Sequence, residues 1–156
     1  MMSEVFIVSA SNRADSIRKL LGRFDLSGFK AARVVLKANY NSADPFPAST
    51  HISTLRALVD GLQAAGVGQL FLAERSGMGD TRRVLEATGV TQLANELGVE
   101  VFVLDELPAD GWTDIKPEGL HWTQGFKLPK ILTEAEKVVQ TCCLKTHRFG
   151  GHFTMS

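Results

Sequence analysis

Three stretches of the sequence combine hydroxyl, amide and cationic groups in a way that suits the binding of an anion. The first contains Lys37 and Asn39 and continues to Ser49, Thr50 and His51. It joins a predicted strand to a predicted helix, where unpaired backbone N–H groups and the helix dipole favour negative charge. Ser49 and Thr50 would add hydroxyl donors, Lys37 would add charge, and His51 would transfer protons. The alternative is that Ser49 or Thr50 caps the helix and Lys37 is a surface residue.

The second stretch runs over residues 74–82 and has the sequence ERSGMGDTR. Ser76 would bind the anion, and Gly77 would let the backbone approach it closely. The dinucleotide-binding pattern GxGxxG is not met, because Arg82 occupies the third glycine position, and no Walker sequence occurs. The alternative is a simple turn before a helix that Asp80 caps.

The third stretch is Lys145, Thr146, His147 and Arg148, which follow the last predicted strand. Three cationic or titratable side chains in four positions would hold a carboxylate or a phosphate, with His147 as a second candidate acid or base. The alternative is a solvated basic turn. His147 and His152 would share a metal ion only with a further ligand, for which the spacing gives little support.

The composition restricts the class of partner. Lys plus Arg and Asp plus Glu each number 17, so the formal net charge is zero, which argues against nucleic acid and membrane surfaces as partners. No apolar run approaches the roughly 20 residues of a membrane helix. Cys142 and Cys143 are neighbours, so we expect no disulfide framework and a cytoplasmic location. Without a Cys-x-x-Cys pattern, we also expect no iron–sulfur cluster in this chain.

Apolar runs typical of strands alternate with helical periodicity along the chain. The spacing of Ile17, Leu20, Leu21 and Phe24 predicts a helix that Gly28 closes. A second helix, two shorter helices separated by a glycine and a long loop or small strand excursion over 105–129 are also predicted. The predicted strands cover residues 5–8, 32–36, 69–73, 99–104 and 138–144.

This alternation predicts a single α/β domain over residues 1–156, with a three-layer, Rossmann-like arrangement. A mostly parallel sheet would be flanked by helices on its two faces. Ligands of such sheets bind beyond the carboxyl ends of the strands. The three polar stretches follow strands in the sequence, so we expect them to meet along one edge of the sheet.

The order of several short motifs resembles the family known as domain of unknown function 362. The resemblance covers nearly the whole chain, although the family often has proline where Ala38 and Ile52 stand here. The motifs are RVVLKxN at 33–39, SAD at 42–44, ASTH at 48–51, AGV at 65–67, TGV at 88–90 and LKTH at 144–147.

The resemblance implies a fold and a context more than an activity. Family members are often longer, continue into a Lys-Asn motif, and in some cases carry ferredoxin-like iron–sulfur modules. We therefore expect this chain to be a short member or the amino-terminal part of a longer family domain. The cysteines that such a cluster requires are absent here, so the cluster is not carried over.

Two classes of function follow from these observations. In the first, the chain is an enzyme domain that binds a small anionic molecule or a nucleotide at the carboxyl ends of its strands. In the second, it is a non-catalytic module for homo-oligomerisation or for binding a redox protein, because a truncated sheet would leave an edge exposed. A metal-binding role would depend only on scattered histidines and two cysteines. The sequence favours the first class and leaves the substrate and cofactor unknown.

Overall fold

A four-stranded parallel sheet forms the centre of the protein, in the order β3 (Glu100–Val103), β2 (Gln69–Glu74), β1 (Arg33–Lys37) and β6 (Lys137–Gln140). The computed structural model describes residues 4–116, 119, 121–146 and 153–154. The predicted α/β fold is confirmed, and part of the region expected as a loop or strand excursion pairs as β4 with β5. The strands are β1 Arg33–Lys37, β2 Gln69–Glu74, β3 Glu100–Val103, β4 Trp112–Ile115, β5 Phe126–Pro129, β6 Lys137–Gln140, β7 Lys145–Thr146 and β8 Phe153–Thr154.

The longer helices pack on one face of this sheet. Leu36 and Leu72 point to that face and belong to one buried cluster with Leu55, Leu58 and other residues of the helices. The helices between β1 and β2 and between β2 and β3 connect strands that follow each other in one direction across the sheet, so crossovers of one hand place them together, and the helix that precedes β1 packs beside them. The helices are α1 Arg13–Leu21, α2 Ile52–Ala64, α3 Thr81–Ala87, α4 Val90–Leu97 and α5 Lys130–Thr133.

The opposite face has a thinner cover. Val35 and Ala73 point to it, because side chains alternate along a strand, and they pack with Leu104 and Ile131. Ile131 belongs to α5, a single turn on the connection that returns from β3 to β6. This return reverses the strand order and therefore crosses on the other side of the sheet.

One predicted strand and two predicted boundaries are wrong. The first predicted strand is not a strand, because residues 5–8 have no partner strand in the described part of the chain, and Val5 is 84% exposed. α1 ends at Leu21 with Gly22 as its C-cap, so Phe24 lies beyond the helix and contacts the ring of Phe6 instead. β6 stops at Gln140, because β1 ends at the residue that pairs with it.

The helices also bear on the question of membranes. Over the ranges that the structure describes, no helix combines the length and the apolar character needed to cross a lipid bilayer.

Candidate functional site

The carboxyl ends of the four parallel strands lie at one edge of the sheet, where the polar stretches of the sequence follow them. We call the loop 38–51, the segment 75–80 and the segment 141–146, together with the strand ends Lys37 and Glu74, the carboxyl rim. The strand order reverses between β1 and β6, since β2 and β3 lie on one side of β1 and β6 lies on the other. Such a reversal point is where open α/β sheets bind ligands.

The loop 38–51 contacts the segment after β2 on one side. The Ser76 hydroxyl donates to the carbonyl oxygen of Tyr40 at 2.7 Å, and the amide of Gly77 donates to Oδ1 of Asn41 at 2.9 Å. A Cβ atom on Gly77 would lie 2.4 Å from that Oδ1. The structure thus brings Ser76 and Gly77 to the rim, where the close approach that requires glycine is made by the Asn41 side chain.

The same loop contacts the segment after β6 on its other side. The ammonium of Lys145 donates to the carbonyl oxygen of Ala48, and the Cys143 thiol donates to that of Ser49 at 3.4 Å. Thr146 follows at the end of β7 and is exposed. Loop 38–51 therefore lies between the other two parts of the rim, and the predicted meeting of the three stretches holds for their described residues, which include Lys145 and Thr146 of the third.

Several predicted binding groups hold the loop 38–51 in shape. The amide of Asn39 donates to Oγ1 of Thr50 at 3.1 Å, and the amide of Thr50 donates back to the carbonyl of Asn39 at 2.9 Å. The Ser49 hydroxyl donates to the carbonyl of Ser42 at 3.1 Å. Asn39, Ser49 and Thr50 are all buried. These bonds close the loop and fix where its backbone stands.

His51, and neither Ser49 nor Thr50, caps α2. Its Nδ1 accepts the amide N–H of Ser53 at 3.2 Å and lies 2.8 Å from the Ser53 hydroxyl. Because an amide can only donate, Nδ1 is the acceptor and the neutral ring carries its proton on Nε2. The expected serine or threonine cap is wrong, since the Thr50 hydroxyl is already used by Asn39.

A cavity of about 220 Å³ lies beside the start of α2. Loop 38–51 forms most of its wall, and residues at the end of α3 complete it. Its polar lining includes the side chains that the sequence singled out at this helix. These lining residues are Ser49, Thr50 and His51, together with Tyr40, Asp44 and Thr88.

Lys37 and Glu74 form an ion pair at the ends of the two central strands. Lys37 Nζ lies 2.5 Å from Glu74 Oε1 and also donates to the carbonyl oxygen of Ala38 at 2.7 Å. The Glu74 side chain is 1% exposed and that of Lys37 is 28% exposed. The carboxylate is therefore inside the protein, and the ammonium lies between it and the solvent.

Burial raises the pKa of Glu74 above its ordinary value. The Lys37 ammonium and the amides of Arg75 and Tyr40 oppose this shift, because they stabilise the carboxylate. Oε1 also accepts the amide N–H of Arg75 at 2.8 Å, whereas Oε2 is buried without a hydrogen-bond partner among the described residues. Glu74 thus keeps one oxygen that can take a proton.

Tyr40, in the loop 38–51, is a further buried side chain of the rim that carries a polar atom. It is 1% exposed, and its phenol oxygen has no hydrogen-bond partner within the described ranges. Burial first, and then the charge of Glu74, raise the pKa of this phenol. The phenol therefore stays protonated at neutral pH and is a hydrogen-bond donor.

Glu74 and Tyr40 were missed as site residues by the sequence analysis. A signal was present for Glu74, because an apolar run ends on an acidic residue, just as the neighbouring strand ends on Lys37. Two opposite charges at the carboxyl ends of adjacent parallel strands are close enough to pair. Tyr40 gave no such signal, since an aromatic residue in a loop is usual.

His147, the other proposed acid or base, lies outside the described residues, as do Arg148 and His152. Within residues 4–116, 119 and 121–146, no group of three or more His, Cys, Asp or Glu side chains stands close enough to hold a metal ion. Cys142 and Cys143 are free thiols and half-buried.

Comparison with known proteins gave a family match, which covers the part of the chain that contains the rim. Searches of curated proteins and of solved structures found no match. A family model described as "Domain of unknown function (DUF362)" matches residues 34–156, from the second residue of β1 onwards. The match includes the whole carboxyl rim, and the chain therefore belongs to the DUF362 family.

Proposed function

We propose that this protein binds a small anionic molecule at its carboxyl rim and that it does so as part of an enzyme. The strand-order reversal between β1 and β6 carries the proposal, because ligands of open α/β sheets bind at such a point, and Lys37 ends β1 while Lys145 belongs to the segment that follows β6. An ammonium has three donors, and two of those of Lys37 are used by Glu74 and Ala38.

The start of α2 supports the same proposal. α2 has 13 residues, and the positive end of its dipole lies beside the cavity, which His51 and Ile52 help to line. His51 carries its proton on Nε2 when neutral, so it would donate to an anion and act as a general acid. His147 would be the second acid or base of such a site.

The size of the cavity favours one class of anion. A volume of about 220 Å³ is below the roughly 300–1,000 Å³ of pockets that enclose drug-sized ligands. A phosphate group or a small carboxylate suits this volume, and a nucleotide would leave its base outside the cavity, whose lining does not include Lys37 or Lys145. The reducing cytoplasm, where free thiols such as Cys142 and Cys143 persist, is the compartment we propose.

Thermal unfolding with a panel of anions tests this proposal. Sulfate, phosphate, lactate, citrate and ATP would each be added at constant ionic strength. A ligand at about 100 times its Kd adds about 2.7 kcal/mol, which raises the Tm of a domain of this size by roughly 5–10 °C. Lys145→Met should remove most of that shift, whereas Lys127→Met, which removes an exposed ammonium from β5, should keep it. A folded sample that shifts with none of these anions would contradict the proposal.

A second function, a non-catalytic assembly module, is favoured by the open edge of the sheet. β6 is an end strand, and Val138 on it is 49% exposed. An apolar groove of about 420 Å³ runs beside it between α1, α2 and β6. Unpaired strand edges and apolar grooves are sites of self-association, and the occupant we propose for this alternative is a second copy of the chain.

Light scattering coupled to size-exclusion chromatography separates this alternative from the first function. The alternative predicts a dimer at micromolar concentration, which Val138→Lys should convert to monomer because a charge would lie on the exposed end strand. Leu128→Lys on β5 is the matched control, since Leu128 is also partly exposed, at 37%. A wild-type monomer would rule the alternative out and leave the anion site unaffected.

A further inference from the structure

Lys37 and Glu74 are one electrostatic unit, so a charge that reaches the ammonium also acts on the carboxylate behind it. The two groups are separated by 2.5 Å, a distance at which opposite charges interact strongly even near a protein surface. An anion bound to the exposed side of the ammonium would compete with Glu74 for the same positive charge. Either the anion binds weakly or the carboxylate loses its negative charge.

The second carboxylate oxygen of Glu74 can take up a proton, which would neutralise this charge. Oε2 is buried and has no hydrogen-bond partner in the described part of the chain. Buried polar atoms without a partner are rare in folded proteins, and an ionised carboxylate in such a place is costly. A proton on Oε2 would neutralise the group and leave the contacts of Oε1 with Lys37 and Arg75 in place.

We propose that the carboxyl rim takes up a proton on Glu74 when an anion binds to the Lys37 ammonium. The inference rests on the proposed function, because it concerns the same anion. The proton comes from the solvent and forms the O–H bond of a carboxylic acid at Oε2, and no bond of the anion is made or broken. The ion pair then carries one net positive charge, which the anion balances.

The other groups that face Glu74 do not take up this proton. The Tyr40 phenol is close enough for the charge of Glu74 to act on it, and burial raises its pKa, so it is already neutral at neutral pH. From β1, Lys37 faces Glu74 as a cation, and from the end of β2 the Arg75 side chain is paired with Asp105. Glu74 has a pKa raised by burial, so it is the facing group poised to gain a proton.

Because of thermodynamic linkage, the effect can be measured either as proton uptake or as a change of anion affinity with pH. If the anion increases the proton affinity of Glu74, protons increase the affinity for the anion by the same factor. The affinity for an anion should therefore fall as the pH rises, by at most about tenfold per pH unit for one coupled proton. Removing the negative charge of Glu74 should abolish this dependence and strengthen binding at high pH.

Titration calorimetry of the wild-type protein with sulfate provides the test. Sulfate is a dianion that does not titrate near neutral pH, so any proton taken up belongs to the protein. Measurements at constant ionic strength in buffers of different ionisation enthalpy give the number of protons bound per sulfate. We expect an uptake of up to about one proton, largest where free Glu74 is ionised.

Glu74→Gln identifies the group that takes up the proton. It should reduce the uptake to near zero and, at about pH 8, bind sulfate roughly tenfold more tightly than the wild type. Glu96→Gln is the matched control, since it removes the same charge from the exposed pair with Arg56 and should keep the wild-type uptake. Uptake that persists in Glu74→Gln would assign the proton to another group and overturn the inference.

The outcomes for the wild type separate this inference from the proposed function. Sulfate binding without proton uptake would overturn the inference and leave the anion site standing. Failure of sulfate, phosphate and small carboxylates to bind at any pH would overturn both. If Glu74→Gln does not fold, the wild-type measurement still decides, because binding that is independent of pH contradicts the coupling.

Discussion

Replacing Lys37 with methionine should destabilise the protein by an amount that depends on pH. Methionine keeps an unbranched apolar side chain and removes the ammonium, so Glu74 loses the cation 2.5 Å from its Oε1. Loss of one partner from a buried ion pair costs about 3–5 kcal/mol. The Lys37 side chain is 28% exposed, so water reaches the vacated position, and we expect the lower end of that range, about 3 kcal/mol.

The sign of the pH dependence follows from the raised pKa of Glu74. Below the ordinary pKa of a glutamate, the folded and unfolded chains both carry the proton, and burial of the neutral acid costs least. As the pH rises toward the folded-state pKa, the unfolded chain releases its proton first, so the free energy of unfolding falls. Lys37→Met removes the ammonium that lowers the pKa of Glu74, so stability falls over a wider range of pH. One proton changes stability by at most about 1.4 kcal/mol per pH unit.

Urea denaturation of the variant and the wild type at about pH 5 and about pH 8 measures the effect. The loss should be larger at the higher pH, and the double variant Lys37→Met with Glu74→Gln should recover most of it. Arg56→Met is the control, because its partner Glu96 is 42% exposed and such surface pairs contribute less than about 1 kcal/mol. A loss for Lys37→Met no larger than the control, or one independent of pH, would refute a buried carboxylate that depends on Lys37.

Two further predictions concern the scaffold of the rim. Leu62→Ala should lower the free energy of unfolding by about 3 kcal/mol, because Leu62 is fully buried against Val34; a loss below about 1 kcal/mol in urea denaturation would contradict that packing. Gly68→Ala should cost about 2 kcal/mol, since a Cβ there would lie 2.4 Å from the carbonyl oxygen of Ala31. Gly89→Ala should cost only about 1 kcal/mol, because its φ is +78° and nothing lies within 4 Å; equal losses at the two glycines would disprove the clash.

The fold class could be predicted because it depends on local patterns. The predicted strands 32–36 and 69–73 overlap β1 and β2, whose apolar residues are buried or half-buried, and Gly66 and Gly89 adopt the positive φ that ends or separates helices. The predicted cap Asp80 accepts the amide of Arg83. Strand boundaries were harder to predict, because a strand ends where the neighbouring strand that pairs with it ends. Residues 141–144 continue an apolar sequence but leave the sheet where β1 ends.

The membership of the rim was also foreseeable, because parallel strands bring the residues after their carboxyl ends to one edge. The roles that these residues have at the rim could not be predicted from the sequence. A hydroxyl or amide group can form the same hydrogen bonds with a ligand as with the backbone of its own loop. Only the path of the backbone decides that the Thr50 hydroxyl accepts the backbone N–H of Asn39 and that His51 caps α2.

The amino-acid sequence by itself determined the alternation of elements, the parallel sheet and the polar stretches that follow its strands, because periodicity and turn residues act over a few positions. The tertiary structure alone decided which of these groups are buried and which pair. Lys37 and Glu74 are 37 positions apart, and their contact depends on the register between β1 and β2. Burial then shifts the protonation of Glu74, since the cost of an interior charge depends on surroundings contributed by distant segments.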